Sequence, residues 1–293
     1  MTATLMRGTP LANSIRAQVK EEVAALGGLG LATVQVGDDP SSRLYLRRKH
    51  EASQEVGIRS VDHQLAEDAS EEDLLALVAD LNADDSIDGV LVQLPLPDPL
   101  DEARVIRAVD PVKDVDGFHP LNAGQLYLGR PTFVPATPLG IMALLREYRV
   151  ELESARAVVV GRSDIVGKPI AHLLLAANAT VTICHSRTVD LARHTLEADV
   201  LVVAAGVPGI IAADMVKQEA AVVDVGITRT EAGLIGDVDP GAAERAGYLS
   251  PVPGGVGPMT IAMVLRNTVL AARYRRGSLS WPLAERKGPT LER

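Results

Sequence analysis

Tyr45 and Lys49 stand four residues apart in a segment that opens on Asp39-Pro40 and closes at Gly57. A capping acid, a first-turn proline and a terminal glycine predict a helix over 40–56. On a helix that spacing stacks phenol and ammonium on one face, where they can address one ligand together. A tyrosine at the core margin beside a solvated lysine satisfies the same spacing, so the pair is a candidate and no more. Gln93 closes an apolar run at 90–93 that Leu94-Pro-Leu-Pro97 cannot continue, because proline brings no donor to a ladder. The carboxyl end of a strand is where open α/β sheets bind ligands, although a glutamine that merely finishes the strand reads the same way. Farther on, Asp-Pro-Val-Lys-Asp-Val-Asp-Gly-Phe-His-Pro-Leu-Asn over 110–122 forms a dense loop of acids, glycine and prolines. It lacks the closing glutamate and glycine placement of a calcium loop, which argues against a metal. One buried carboxylate pairing with an amidine-like edge is its better use.

A second kind of chemistry is written around Gly161. The run 157–160 is apolar without alternation, as in a parallel strand buried on both faces, and 169–177 is rich in Ala and Leu and reads as a helix. Gly161 and Gly167, with Arg162 and Ser163 between them, fill the turn that joins the two. Backbone there can approach a pyrophosphate, and the helix start offers unpaired N–H groups. The spacing is not the usual Gly-x-Gly-x-x-Gly, and a connection that uses glycine only for backbone freedom fits equally well. Context favours the nucleotide. A β-rich run at 180–184 follows at the distance of a βαβ unit and ends in His185-Ser186-Arg187. Hydroxyl and cationic groups at that position suit the additional phosphate of NADP, where an acid would suit NAD; an ordinary polar loop is the competing description. Further strand-end turns at Val225-Gly226-Ile227 and Gly236-Asp237-Val238 can also approach a cofactor.

The elements that must position these groups follow from the rest of the chain. It has 293 residues, 47% apolar and 23% charged but only 3% aromatic, so its core is aliphatic, as suits parallel α/β sheets. That length accommodates two ordinary domains or one large one. A net charge of −9 argues against a general nucleic-acid binder. A single cysteine, Cys184 at a strand end, excludes an internal disulfide framework, reads as a packed thiol and fits a cytoplasmic protein. Neither a bilayer-spanning segment nor a signal-peptide pattern is expected, so no membrane partner is. Helices are predicted from Thr9-Pro10 to 26, from 71 to 83 behind a Ser70/Asp73 capping box, over 101–109, from Thr137-Pro138 to 148 and over 261–274. Strands are predicted at 31–36, 90–93, 157–160, 180–184, 200–204 and 221–225, with a rigid glycine–proline loop over 250–260.

Five stretches, in order, resemble the bifunctional methylenetetrahydrofolate dehydrogenase/cyclohydrolase family. They are Val-Gly-Asp-Asp-Pro-Ser-Ser-Arg-Leu-Tyr45-Leu-Arg-Arg-Lys49, Val-Gln93-Leu-Pro-Leu-Pro, Lys-Asp-Val-Asp116-Gly-Phe, Gly161-Arg-Ser-Asp-Ile-Val-Gly-Lys-Pro and Pro251-Val-Pro-Gly-Gly-Val-Gly-Pro-Met-Thr260. The resemblance spans about 9–274, and its last motif is highly specific. It implies an α/β fold of two domains: an N-terminal catalytic and folate-binding lobe over 1–137 completed by a returning helix 258–275, and a Rossmann-like NADP domain over 138–257 with a parallel sheet. Residues 276–293 are expected to be a mobile tail. By the same resemblance Lys49 is catalytic, Tyr45 stacks on the folate ring and orients the lysine, and Gln93 hydrogen-bonds it. Asp116 is similar to the carboxylate that holds the pterin edge, Gly254 and Gly255 to a loop lining the folate cleft between the lobes. Gly161, Arg162, Ser163 and Ser186 correspond to the NADP contacts, with NADP as cofactor; Arg187 and Ile227 join them from the strand-end turns read above. Ala136 departs from the cysteine of many relatives without touching the chemistry. The implied enzyme oxidises 5,10-methylenetetrahydrofolate and hydrolyses the methenyl product to 10-formyltetrahydrofolate, feeding one-carbon metabolism and purine biosynthesis as a cytoplasmic homodimer. Arg43, Arg47 and Arg48 could attract folate's acidic tail, though a solvated helix face explains them as well. Another NADP-dependent two-domain dehydrogenase would explain the nucleotide half but not Tyr45, Lys49, Gln93 and Asp116; a cofactor-binding regulatory protein would not need Lys49.

Overall fold

The computed structural model describes residues 2–38, 40–231 and 233–281, and the side chains of these except 40–42, 44 and 45. The first part of the chain runs β1 (Thr4–Leu5), α1 (Gly8–Leu26), β2 (Leu29–Val36), α2 (Pro40–Glu55), β3 (Ile58–Leu65), α3 (Glu71–Ala83), β4 (Gly89–Val92), α4 (Glu102–Ala108) and α5 (Pro120–Tyr127). There follow α6 (Ala136–Glu147), β5 (Arg156–Val160), α7 (Gly167–Ala176), β6 (Thr180–Cys184), α8 (Leu191–Thr195), β7 (Val200–Val203) and β8 (Ala221–Asp224). A hairpin of β9 (Thr228–Thr230) and β10 (Gly233–Ile235), then β11 (Tyr248–Leu249) and α9 (Val256–Arg275), complete the elements. None of the described helices is long and apolar enough to cross a membrane. The chain divides into two units, Ser14–Ala136 with Ile261–Arg293, and Met1–Asn13 with Thr137–Thr260.

In the first unit every residue of β2 is buried, as its lack of polar alternation requires of a strand covered on both faces. It is the middle of a parallel sheet ordered β3-β2-β4. Edge strand β3, with its mixed polar sequence, is only intermittently buried. The capping box holds: Ser70 Oγ accepts from Asp73 N at 3.0 Å and starts α3, whose Leu74, Val78 and Leu81 join Val34, Val90 and Val92 in the core. Each such side chain contributes about 1.5–3 kcal/mol on burial. Helix α9 is fastened to this sheet at its base, where Arg275 and Arg276 donate to the buried Asp88 at 2.9 and 3.2 Å while Gly30 N donates to the same carboxylate.

The second unit is built on a sheet ordered β1-β11-β8-β7-β5-β6, all parallel. Central β7 and β8 are wholly buried, and edge strand β6 is largely exposed. Cys184 is buried, as a packed thiol should be. Its first 13 residues lie outside the expected boundary at 137: β1 extends the sheet beyond β11, and Met6 is fully buried among Ile141, Leu144 and Val256. Two local expectations are also corrected. Thr137 lies inside α6 and shares a hydrogen bond of 2.9 Å with Thr260 instead of capping the helix. The acid-rich loop ends at 119, not 122, because His119 Nδ1 accepts from Leu121 N and starts α5 at Pro120. Asp39 and residues 282–293, most of the expected tail, lie outside the described residues.

Candidate functional site

The order β3-β2-β4 puts a topological switch between β2 and β4, and Gln93 stands at the carboxyl end of that crevice. Its backbone N–H still donates to Val34 O at 2.8 Å, which sets the side chain in register before the prolines end the ladder. Its Nε2 donates to Leu94 O at 2.8 Å, leaving Oε1 to accept from Lys49 Nζ at 3.4 Å. Lys49 reaches it from α2 and is only 4% exposed. Burial pushes the ammonium below the ordinary lysine range, and the Asp116 carboxylate opposes that shift. Asp116 is displaced the other way. Burial raises its carboxyl to about 6 against the pull of Lys49, with Asp114 adding to the rise. Of three residues chosen in the sequence, Lys49 and Asp116 are therefore electrostatically coupled and Gln93 is hydrogen-bonded to the lysine, all within one unit. Tyr45 belongs to α2 one turn before Lys49, but its side chain lies outside the described residues.

Asp116 is held by neighbours that sequence reasoning passed over. Its loop runs beside β4, where Val90 N donates to Lys113 O at 2.7 Å. Lys113, 2% exposed, spends its ammonium on Leu81 O and Asp84 O, both at 2.8 Å. Asp114 points into a buried nest, accepting from Phe118 N, His119 N and Asn122 Nδ2 at 3.2, 2.8 and 2.7 Å. Burial raises its carboxyl, and those three donors oppose the rise. Asn122 is fully buried and also donates to Pro111 O at 3.0 Å, while its Oδ1 accepts from Thr132 Oγ1 at 2.7 Å. The alternation Asp114-Val115-Asp116 was the available signal: two acids flanking a buried valine cannot serve the same purpose.

In the other unit the switch lies between β5 and β7, with β6 on the far side of β5. Gly161 stands at the end of β5 with φ +132°, and a Cβ there would lie 2.3 Å from Ala204 O. No other residue fits that turn. Ser163 Oγ accepts from Val166 N and Gly167 N at 3.2 and 3.3 Å as α7 begins. Arg162 and Ser163 are exposed, as are Ser186 and Arg187 after β6. Arg187 N donates to His185 Nδ1 at 3.1 Å, which rounds the turn. Ile227, after β8, is 55% exposed. These residues leave the carboxyl edge of the sheet open with backbone, hydroxyl and guanidinium donors, a set that fits a dinucleotide bearing an additional phosphate. Gly254 and Gly255 also belong to this unit, where Gly254 O accepts from Gly8 N at 2.9 Å.

Two buried acids brace the turns at that edge; Asp224 was not selected from the sequence, and Asp237 was named only as part of a strand-end turn. Asp224 accepts from Gly226 N, Asp237 N and Val238 N, each at 3.0 Å, and its carboxyl is raised to about 6 chiefly by burial. Asp237 Oδ2 accepts from Ala205 N and Gly206 N, both at 2.8 Å. A Cβ at Gly236 would lie 1.8 Å from Asp224 Oδ2, so this glycine admits the carboxylate. An acid ending the apolar run 221–224 was the sign to look for.

Comparison with known proteins places this geometry in context. The family model of the tetrahydrofolate dehydrogenase/cyclohydrolase catalytic domain matches residues 6–116, and that of the same family's NAD(P)-binding domain matches 135–276. Bifunctional protein FolD of Halothermothrix orenii is 53% identical over 277 residues, covering 92% of this chain and 98% of its own. The crystal structure of bifunctional FolD methylenetetrahydrofolate dehydrogenase/cyclohydrolase from Campylobacter jejuni matches with a TM-score of 0.91 at 47% identity, over 93% of this chain and 99% of that one. The Trypanosoma brucei N5,N10-methylenetetrahydrofolate dehydrogenase-cyclohydrolase, complexed with NADP and an inhibitor, matches with a TM-score of 0.91 at 38% identity, over 94% and 99%.

Proposed function

Because the chain belongs to the tetrahydrofolate dehydrogenase/cyclohydrolase family, we propose that Lys49, Gln93 and Asp116 are the groups with which it handles its folate substrate. The enzyme is bifunctional: with NADP it oxidises 5,10-methylenetetrahydrofolate to the methenyl compound, and it hydrolyses that to 10-formyltetrahydrofolate. The observation that carries the residue assignment is a buried lysine, lowered in pKa, hydrogen-bonded to a neutral amide and facing a carboxylate.

Each group has work suited to its state. NADP, when bound, supplies the hydride acceptor for the methylene carbon. The chain's part in that step is to hold the folate in place, since the folate nitrogens themselves stabilise the resulting cation. Asp116 is ionised for the most part at neutral pH and accepts paired N–H donors from the pterin edge. Hydrolysis is more demanding. Water attacks the methenyl carbon, the adduct gives up a proton, one carbon–nitrogen bond breaks as the hydroxyl proton leaves to solvent and the carbonyl forms, and the released nitrogen takes the first proton back. Lys49 can accept and return that proton because burial favours its neutral form. Gln93 Oε1 accepts from the lysine and orients its nitrogen. Gly161, Arg162 and Ser163 serve the pyrophosphate, Ser186 and Arg187 the additional phosphate, and Ile227 the open end of the cofactor cradle. Tyr45, Gly254 and Gly255 keep the substrate roles that resemblance gave them.

The decisive assay supplies methylenetetrahydrofolate with NADP⁺ or NAD⁺ and follows reduced cofactor and methenyl compound separately. Wild-type enzyme should reduce NADP⁺ and clear the methenyl compound. Lys49→Met should let methenyl accumulate while oxidation falls less; full hydrolysis by this variant would reject Lys49 as the proton carrier.

The assembly and setting extend the same reading. A homodimer through β6 is supported by its exposed outer edge, with Ile183 41%, Leu175 59% and Val189 85% exposed beside it. Sedimentation of Ile183→Lys as a monomer would support that edge, and an unchanged dimer would reject it. The buried thiol of Cys184 suits a reducing cytoplasm, and a formyl product suits supply of one-carbon units to purine biosynthesis.

A further inference from the structure

Helix α2 carries a second stripe that the folate reaction does not use. Residues 43, 46, 47 and 50 recur at i, i+3, i+4 and i+7 and face the β3 side of the sheet, apart from the stripe that carries Lys49. Between that stripe and the strands lies a cleft of about 600 Å³ lined by Gln35, Arg43, Arg47, His50, Asp62 and His63 among others. Lys49, Gln93 and Asp116 are not among its lining residues.

An inventory of donors and acceptors shows what the cleft would hold. Its carboxylate is occupied: Asp62 Oδ1 accepts from Thr33 and from Ser60 Oγ at 3.2 Å, and Oδ2 lies 2.7 Å from His50 Nδ1. Its donors are not. Gln35 is only 7% exposed, yet its Nε2 is buried with no partner among the described residues. The flanking glutamines on the same row do find partners, Gln64 donating to Gly37 O at 3.3 Å and Gln93 accepting from Lys49. His63 Nε2 is likewise buried and unpartnered. At the mouth, Arg43 and Arg47 meet Asp38 and Glu51 at 3.0 and 3.8 Å, but their side chains are 55% and 69% exposed and those acids 59% and 66%. Such exposed pairs are weak and exchange readily for a better acceptor. A buried amide with nothing to donate to is costly, whereas a guanidinium fork above it matches an oxyanion.

We propose that this cleft is a second ligand site, separate from those for folate and cofactor, that takes a small free oxyanion of the phosphate or carboxylate class. Gln35 Nε2 donates to the anion from the floor, and Arg43 and Arg47 close on it from the mouth. Because Arg43, Arg47 and Lys49 share α2, occupancy bears on the folate chemistry without competing for the substrate.

The test is calorimetric titration of the whole enzyme with inorganic phosphate and, separately, with citrate. Saturating NADP⁺ is present to fill the cofactor side, and chloride holds ionic strength constant. One-to-one saturable binding of either probe is expected, and the tighter one assigns the class. Gln35→Leu and Arg47→Ala should each weaken it about tenfold. Gln35→Leu removes an unpaired amide and should raise the apo thermal midpoint while losing the anion-induced rise, a pattern that misfolding would not produce. No saturable binding, or binding indifferent to both substitutions, would overturn the site. Anion inhibition relieved by saturating folate would also overturn it, by returning these residues to the substrate.

Discussion

Replacing Asp116 by asparagine should stabilise the empty enzyme at neutral pH while impairing it. The native carboxyl lies at about 6, against 3.8 for its ordinary value. A displacement of about two units corresponds to about 3 kcal/mol of folding free energy at most. The folded chain holds this proton more tightly than the unfolded one. The contribution is therefore complete below pH about 4 and is lost as the pH rises through about 6. Between pH 5 and 7.5 the wild type should lose about 1.4 kcal/mol from this group, a decline the non-titrating asparagine lacks. Trp281, the chain's single tryptophan, packs on Phe133 and Tyr274 at centroid distances of 5.7 and 4.9 Å in the same unit. Its fluorescence in urea reports the relevant transition. A second readout follows from Lys49, which loses the charge that opposed its burial and so becomes neutral at lower pH. With substrate saturating, the acid limb of the hydrolysis profile should move down while folate affinity falls. Parallel stability curves for wild type and variant from pH 5 to 7.5 would refute the electrostatic account, and an unchanged folate Kd would reject the pterin role.

Three other substitutions examine separate parts of the argument. Asn122→Ala removes three hydrogen bonds, two of them buried, and strips Asp114 of a donor; it should cost about 3 kcal/mol in urea unfolding and raise the folate KM, and a loss under 1 kcal/mol would mean the loop is held elsewhere. Arg187→Ala should raise the KM for NADP⁺ about tenfold and leave that for NAD⁺ within about twofold; equal effects would deny it the additional phosphate. Gln93→Glu puts a charge beside Lys49 and should suppress hydrolysis well over oxidation, so an equal fall in both activities would show that the amide's neutrality is not what matters.

Sheet elements were legible where one rule governed them. The runs at 31–36, 157–160, 200–204 and 221–225 were read as strands, and strands lie there within one or two residues, buried along those runs. Strand β3 escaped because Arg-Ser-Val-Asp-His-Gln alternates weakly at a sheet edge, where little burial is demanded. Thr4–Leu5 escaped because two residues carry no period; only the unfilled edge of β11 gives them a role. The site divided similarly. Lys49 and Gln93 could be raised as candidates from a helical spacing and a strand end, and the family resemblance singled them out. Asp114, Asn122 and Thr132 were not, since their partners are backbone groups and side chains that only the folded loop brings within reach. Asp224 and Asp237 looked like strand-end punctuation, although each serves several backbone donors.

That contrast exposes a division of labour among the buried charges. Lys113, Asp114 and Asp88 are each held by two or more partners, and their burial fixes backbone in place. Lys49 and Asp116 differ in what burial does to them: it drives the ammonium of one toward neutrality and the carboxyl of the other toward protonation. A closer ion pair between them would relieve both shifts and make the apo protein more stable. It would also return the lysine toward its ordinary basicity, leaving it protonated and unable to take a proton from water, and would occupy the carboxylate before the pterin arrived. The amide of Gln93 resolves this conflict, because it orients the lysine through a hydrogen bond without supplying the charge that would disarm it. The unresolved electrostatics of the pair are thus the condition for its chemistry, and the well-paired clasp of Asp114 and Asn122 is what lets the fold sustain them.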